Sequence, residues 1–138
     1  MRKIFGLIFT IGFLCISCSS SDDDNSGNNG SEINPPNWIQ GTWLLEEPNP
    51  NSGYKFTNDD FCLINLTQQT CFKESINLTN NSGGTTNVNE EITDNSYSIE
   101  ITLGTQIVTY EFKKVSNTEI EWINDPLGEL AKTIYVKE

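Results

Sequence analysis

The chain has 138 residues, with 19 acidic against 8 basic side chains, a net charge of −11 and no histidine. The acid excess opposes nucleic-acid binding, which depends on Lys and Arg neutralising phosphates. The missing imidazole removes Ser–His–Asp and Cys–His catalysis, HExxH zinc sites and histidine proton shuttles.

Arg2 and Lys3 precede "IFGLIFTIGFLCI", thirteen uncharged residues. A membrane-spanning helix needs about 20 apolar residues, so this run is too short. A charged start, a short apolar run and a small residue before the cut describe an export signal over residues 1–17. The stretch "CISC" that ends it resembles the lipobox of bacterial lipoproteins, with Ser17 before Cys18 and Ile16 one position back. Cys15 stands where that motif prefers Leu, and it follows bulky Leu14, which makes it a poor acceptor itself. The resemblance implies cleavage before Cys18 and lipidation of Cys18, with several acyl chains rather than one; several chains anchor stably where one binds marginally. A secreted protein cut near the same place is the alternative.

"SSSDDDNSGNNGSEINPPN" follows, and residues 18–37 are expected to form a flexible acidic tether, since they hold too little apolar surface to offset chain entropy. As a random coil, nineteen residues reach about 25 Å. Asp22 to Asp24 resemble a tag that in some Gram-negative bacteria sends lipoproteins to the outer face of the outer membrane; a solvated spacer is the other reading. The expected location is therefore the outer membrane, lipid-anchored and facing the exterior. A chain beginning at Cys18 carries six lysines, no arginine and all nineteen acids, a net charge of −13. The membrane partner is then engaged through lipid and not through charge, and that charge keeps the chain soluble.

From Trp38 to residue 138 the chain is long enough for one domain, and its apolar positions alternate with period two. "GTWLLE", "GYKFT" and "DFCLINL" predict three strands, the last two joined at Asn58-Asp59. "TCFKESINL" is expected to be a fourth strand, with Phe72, Ile76 and Leu78 on one face. "TNNSGGTTN" predicts a loop and "NEEIT" a short strand. "YSIEITL" turns at Gly104 into "TQIVTYEFKKV", Ser116-Asn117 marks another turn into "TEIEWI", and "LAKTIYVK" closes the series. The fold class is all-β, a small antiparallel up-and-down barrel of eight or nine strands with no helix of convincing length. Cys62 and Cys71, the remaining cysteines of an exported chain, are expected to form a disulfide across a hairpin around "TQQT", contributing on the order of 2–3 kcal/mol. If Phe61, Leu63 and Phe72 face inward, both cysteines face outward.

"NWIQGTW", residues 37–43, resembles the opening of lipocalin-like proteins, where a short helical turn precedes a Gly-x-Trp that begins the first strand. On that resemblance Gly41 lets the chain turn sharply, and Trp43 covers a barrel end. Lipocalins set an arginine over this tryptophan; here Lys132 or Lys137 is the available substitute. The resemblance implies a barrel able to hold one small apolar or amphipathic ligand, lined by Tyr54, Phe56, Tyr110, Phe112 and Trp122, unless those aromatics simply fill the core.

No motif suggests a catalytic, metal or cofactor site. The adjacent acids Glu46-Glu47, Asp59-Asp60 and Glu90-Glu91 are expected at solvated edges and turns, because neighbours on a strand point to opposite faces. The sequence thus leaves two non-enzymatic roles open: carriage of a small apolar ligand, or a filled barrel that contacts an envelope protein or glycan. Cys18→Ala should abolish palmitate labelling and release the protein from the membrane fraction, whereas Cys15→Ala should change neither; palmitate on the Cys18 variant would overturn the lipobox reading.

Overall fold

The computed structural model describes residues 28–30, 32–128 and 132–138. The signal segment, Cys18 and Asp22 to Asp24 lie outside the described residues. Within them one antiparallel sheet curls into a half-barrel. Its strands are β1 (Asn28–Gly30), β2 (Gly41–Leu44), β3 (Ser52–Phe56), β4 (Phe61–Asn65), β5 (Gln68–Cys71), β6 (Thr86–Ile92), β7 (Ser96–Leu103), β8 (Gln106–Lys114), β9 (Glu119–Trp122) and β10 (Thr133–Lys137). The spatial order is β1-β6-β7-β8-β9-β10-β2-β3-β4-β5, a meander in which the last strand lies beside the first full one. Nine strands therefore run from Gly41 onward, and the all-β, barrel-like class holds. Among the described residues, no helix is long and apolar enough to cross a membrane.

Alternation puts one face of every long strand into the core. Tyr97, Ile99 and Ile101 of β7 are buried, as are Phe112 of β8 and Ile120 of β9. Phe56 and Phe61 are paired neighbours on β3 and β4, with rings stacked 4.9 Å apart. Phe61 reaches across the sheet's curl to Tyr110 at 4.9 Å, so the β3–β4 wall packs directly on the β8–β9 wall.

Helix α1 (Phe72–Asn81) stands where a fourth strand was expected. β5 stops at Cys71, and no side chain on the helix caps its first turn. Asp60 does so from the β3–β4 turn, its Oδ1 accepting the Lys73 N–H at 2.9 Å and the Phe61 N–H at 2.8 Å. A carboxylate at a helix N-terminus satisfies an orphan donor and opposes the dipole favourably. Phe72 and Ile76, spaced i, i+4, are buried, while Leu78 is 63% exposed; four-residue spacing fits a strand and a helix equally, and only Leu78 separates them. Gly83 at φ 80° and Gly84, whose N–H reaches Thr79 O at 2.9 Å, then end the helix. The helix touches β4 on one side and β6 and β7 on the other, so it bridges the gap that the sheet leaves open.

Cys62 and Cys71 are directly opposed across the β4–β5 hairpin, as expected, with sulfurs 2.10 Å apart, at disulfide distance. Their surroundings differ from the expected ones. The turn between these strands is Leu66-Thr67, with Leu66 at φ 57°. Cys62 is buried alongside Phe61 and does not face solvent, and Phe72 belongs to the helix. The folded unit also extends upstream of Trp38: Ile33 is buried in the core, and Trp38 Nε1 donates to Thr93 O at 3.0 Å.

Trp43 occupies the junction of the first and last strands. It is fully buried, its indole N–H donates to Ile39 O at 2.6 Å, and Lys137, its register partner on β10, sets Nζ 5.0 Å from the ring centroid. Lys132 pairs instead with Glu121 at 3.3 Å. Gly41, at φ 129°, is required twice over: a side chain there is strained, and its Cβ would meet Lys137 Cε at 2.7 Å. At Gly53 a Cβ would stand 1.9 Å from Trp43 O, so no side chain fits behind the tryptophan's strand. Truncating a buried tryptophan costs about 3–5 kcal/mol of the roughly 5–15 kcal/mol that hold a domain together. Trp43→Ala should therefore lower the thermal midpoint by more than about 10 °C, and Trp38→Ala by much less; equal midpoints for Trp43→Ala and the parent would overturn the anchor role.

Candidate functional site

The five aromatic residues expected to line a ligand cavity separate into two sets. Phe56 and Phe112 are buried and pack edge to face at 5.2 Å. With Trp43, Phe61 and Tyr97 they fill the interior. Tyr54, Tyr110 and Trp122 line an open cleft of about 350 Å³ between the two walls, with Leu63 and Ile64 of β4 and Tyr135 of β10. Tyr135 is not among the five expected residues, although it stands on β10 two residues before Lys137 and alternates into the core. A second cleft of about 790 Å³ shares Trp122 and Tyr135 and is bordered by Leu45, Glu46, Glu47 and Asp125.

Each ring in the cleft is held by a neighbour. Tyr54 lies at the centre, 4.8 Å from Tyr135, 5.8 Å from Trp122 and 6.0 Å from Tyr110, edge to face in each case; this arrangement suits the aromatic quadrupoles. Trp122 is fixed at its polar end as well, its Nε1 donating to Asn124 Oδ1 at 2.7 Å. Burial, and then the adjoining Tyr135, pushes the Tyr54 phenol far up, and burial raises Tyr135 and Tyr110. All three therefore remain neutral hydroxyls.

The adjacent acid pairs do not converge. Glu46 and Glu47 are exposed, and Asp59 makes an exposed ion pair with Lys73. Glu90 contradicts the expected solvated position: it is 0% exposed, while Glu91 faces outward. Val88, Glu90 and Ile92 alternate into the core, and the strand's period overrides the charge. Tyr97 Oη donates to Glu90 Oε1 at 2.6 Å, and the Asn34 N–H donates to both carboxylate oxygens at 2.9 and 3.1 Å. Asp60, Cys62 and Cys71 bring three potential metal-ligand atoms within 4.8 Å. The two sulfurs bond each other and Asp60 caps α1, which accounts for the cluster without an ion.

Comparison of the chain with protein-family models, with curated proteins and with solved structures finds no match in any of the three. The site is therefore read from its own geometry.

Desolvation raises the Glu90 carboxyl above its ordinary value, and the Tyr97 and Asn34 donors only partly oppose this. A raised acid favours the neutral form in the fold. Its stability contribution is full below the unfolded value and is lost as pH rises through the folded one. The difference in thermal midpoint between the parent and Glu90→Gln should therefore shift against the parent as pH rises from the ordinary carboxylate range towards neutrality; a difference constant across that range would show that Glu90 does not titrate.

Proposed function

We propose that this chain is a lipid-anchored module at the cell surface that binds a ligand without catalysing its conversion, and that the ligand occupies the open aromatic cleft and not the barrel interior. One observation carries this reading. The interior is filled by Trp43, Phe56, Phe61, Tyr97 and Phe112, all buried, whereas Tyr110 and Trp122 stay partly exposed around a cleft floored by the buried Tyr54 and Tyr135. Filled cores normally complete themselves, and an aromatic-lined concavity with a few polar groups is the usual form of a binding site. The lipocalin-like character draws support from Gly41 and from Trp43 under the Lys137 ammonium. Non-enzymatic action draws support from the absence of histidine and from the scattered acids. The filled interior also favours the second reading, a surface that meets a larger envelope partner, since a ligand held between open walls stays accessible from outside.

Hydroxyl-radical footprinting of intact cells, set against the purified full-length protein, tests both the display and the cleft. Tyr110 and Trp122 should label more weakly on cells than in the purified protein, while Trp38 labels equally in both. Equal labelling of all three would overturn occupation of the cleft. External protease that spares the protein on intact cells would overturn surface display.

A further inference from the structure

Trp122 is partly buried and is held at its polar end as well. Asn124 Oδ1 accepts both the Trp122 indole N–H at 2.7 Å and the Glu111 N–H at 2.9 Å, and its Nδ2 donates to Thr109 O at 2.8 Å. One asparagine thus ties the indole to the backbone of β8 on either side of Tyr110. The Tyr110 and Trp122 rings lie side by side, centroids 6.0 Å apart and inclined by 31°. Together they form a tilted aromatic platform whose indole is fixed before any ligand arrives, and fixing a contact surface in advance reduces the ordering cost of binding.

The surroundings narrow the chemistry. The cleft is open along one side, so a ligand on the platform keeps one face or edge in water. A wholly apolar ligand calls for burial of about 70–90% of its surface, which this site does not supply. A molecule with one apolar face and hydroxylated edges fits it, the counterpart of side chains that bury an apolar body and leave a polar tip wet. Tyr54 and Tyr135, 4% and 5% exposed, close the floor of the cleft, and Asp125, Glu46 and Glu47 rim the adjoining one. Lys132, the cation at that rim, is paired with Glu121. The rim is therefore acidic and repels anionic ligands.

We infer that the Tyr110–Trp122 platform is a stacking subsite for a pyranose ring of a neutral glycan, the ring's C–H face on the aromatics and its hydroxyls toward the open side of the cleft. The inference rests on the reading of this cleft as the binding site.

Titration of the detergent-solubilised full-length protein with neutral hexasaccharides of glucose, xylose, mannose and N-acetylglucosamine, followed by saturation-transfer NMR and calorimetry, tests this. At least one should bind, with transfer strongest at the ring C–H protons, and a hexagalacturonate should bind at least about tenfold more weakly. Trp122→Ala should weaken the neutral saccharide by about tenfold or more, and Asn124→Ala by a smaller factor. Trp38→Ala should leave it unchanged. Should Trp122→Ala fail to fold, Trp122→Phe, which keeps a smaller ring, should fold and show a partial loss. Saccharide binding that ignores these platform variants would overturn the subsite. Binding of dodecanoate in the cleft with no saccharide binding would overturn the ligand class while leaving the cleft a binding site. No binding by any probe would overturn the inference, and footprinting protection on cells would then still separate a wrong ligand from an empty cleft.

Discussion

Trp43 sits where the first full strand meets the last, and the register of the whole half-barrel follows from how it is enclosed. Its carbonyl excludes any side chain at Gly53, its indole holds the Ile39 carbonyl, and Lys137 crosses Gly41 to reach its face. A slip of one residue between β2 and β10 would turn Lys137 to the other face of the sheet and leave the ring uncovered. Tyr54 is the register partner of Trp43 on β3, and Tyr135 lies two residues before Lys137 on β10. The positions of both cleft phenols are therefore inherited from the seating of a residue that contacts no ligand in the proposed arrangement.

The interior is a continuous aromatic lattice. Tyr54 approaches five other rings besides Phe61, from Phe56 at 6.3 Å to Tyr135 at 4.8 Å. Rings packed in this way fill volume with few rotatable bonds and resist compression, which is why side chains fill the half-barrel. The lattice ends at Tyr110 and Trp122, where the cleft begins. Cleft and core belong to one packed body, so the rigidity of the proposed platform comes from the same contacts that stabilise the domain.

Alternation made the strands legible wherever both faces obeyed it, as in "YSIEITL" and "TEIEWI". It misled at "TCFKESINL", because Phe72 and Ile76 satisfy both periods and the deciding cap, Asp60, lies twelve residues earlier in the chain. At Glu90 the alternation was present, but the Glu90-Glu91 pair reads as a solvated edge because its neighbours point to opposite faces, and one of those faces is the core; the partners Tyr97 and Asn34 come from separate elements that only the fold brings together. The same limit applied at Trp43. Two lysines could have covered it, and the choice of Lys137 depends on a strand pairing that no local pattern announces. For the cleft, three of the five expected aromatics line it, and inward alternation alone cannot tell a ring that stops at the surface from one that goes beneath it.

The way the chain enters the domain has a mechanical side. The segment from Asn28 to Trp38 is attached by a three-residue ladder of β1 on β6, by the Asn34–Glu90 bonds, by burial of Ile33 and by the Trp38–Thr93 bond. None of these includes an aromatic ring of the cleft. Tension applied ahead of residue 28 loads this strap first, as a seam that opens bond by bond. Its eleven residues can extend to about 35 Å before the load reaches β2. Under such tension the Asn34–Glu90 bonds would be met after the β1 ladder and before Trp38, and the rings of the cleft, which make none of these contacts, would keep their places.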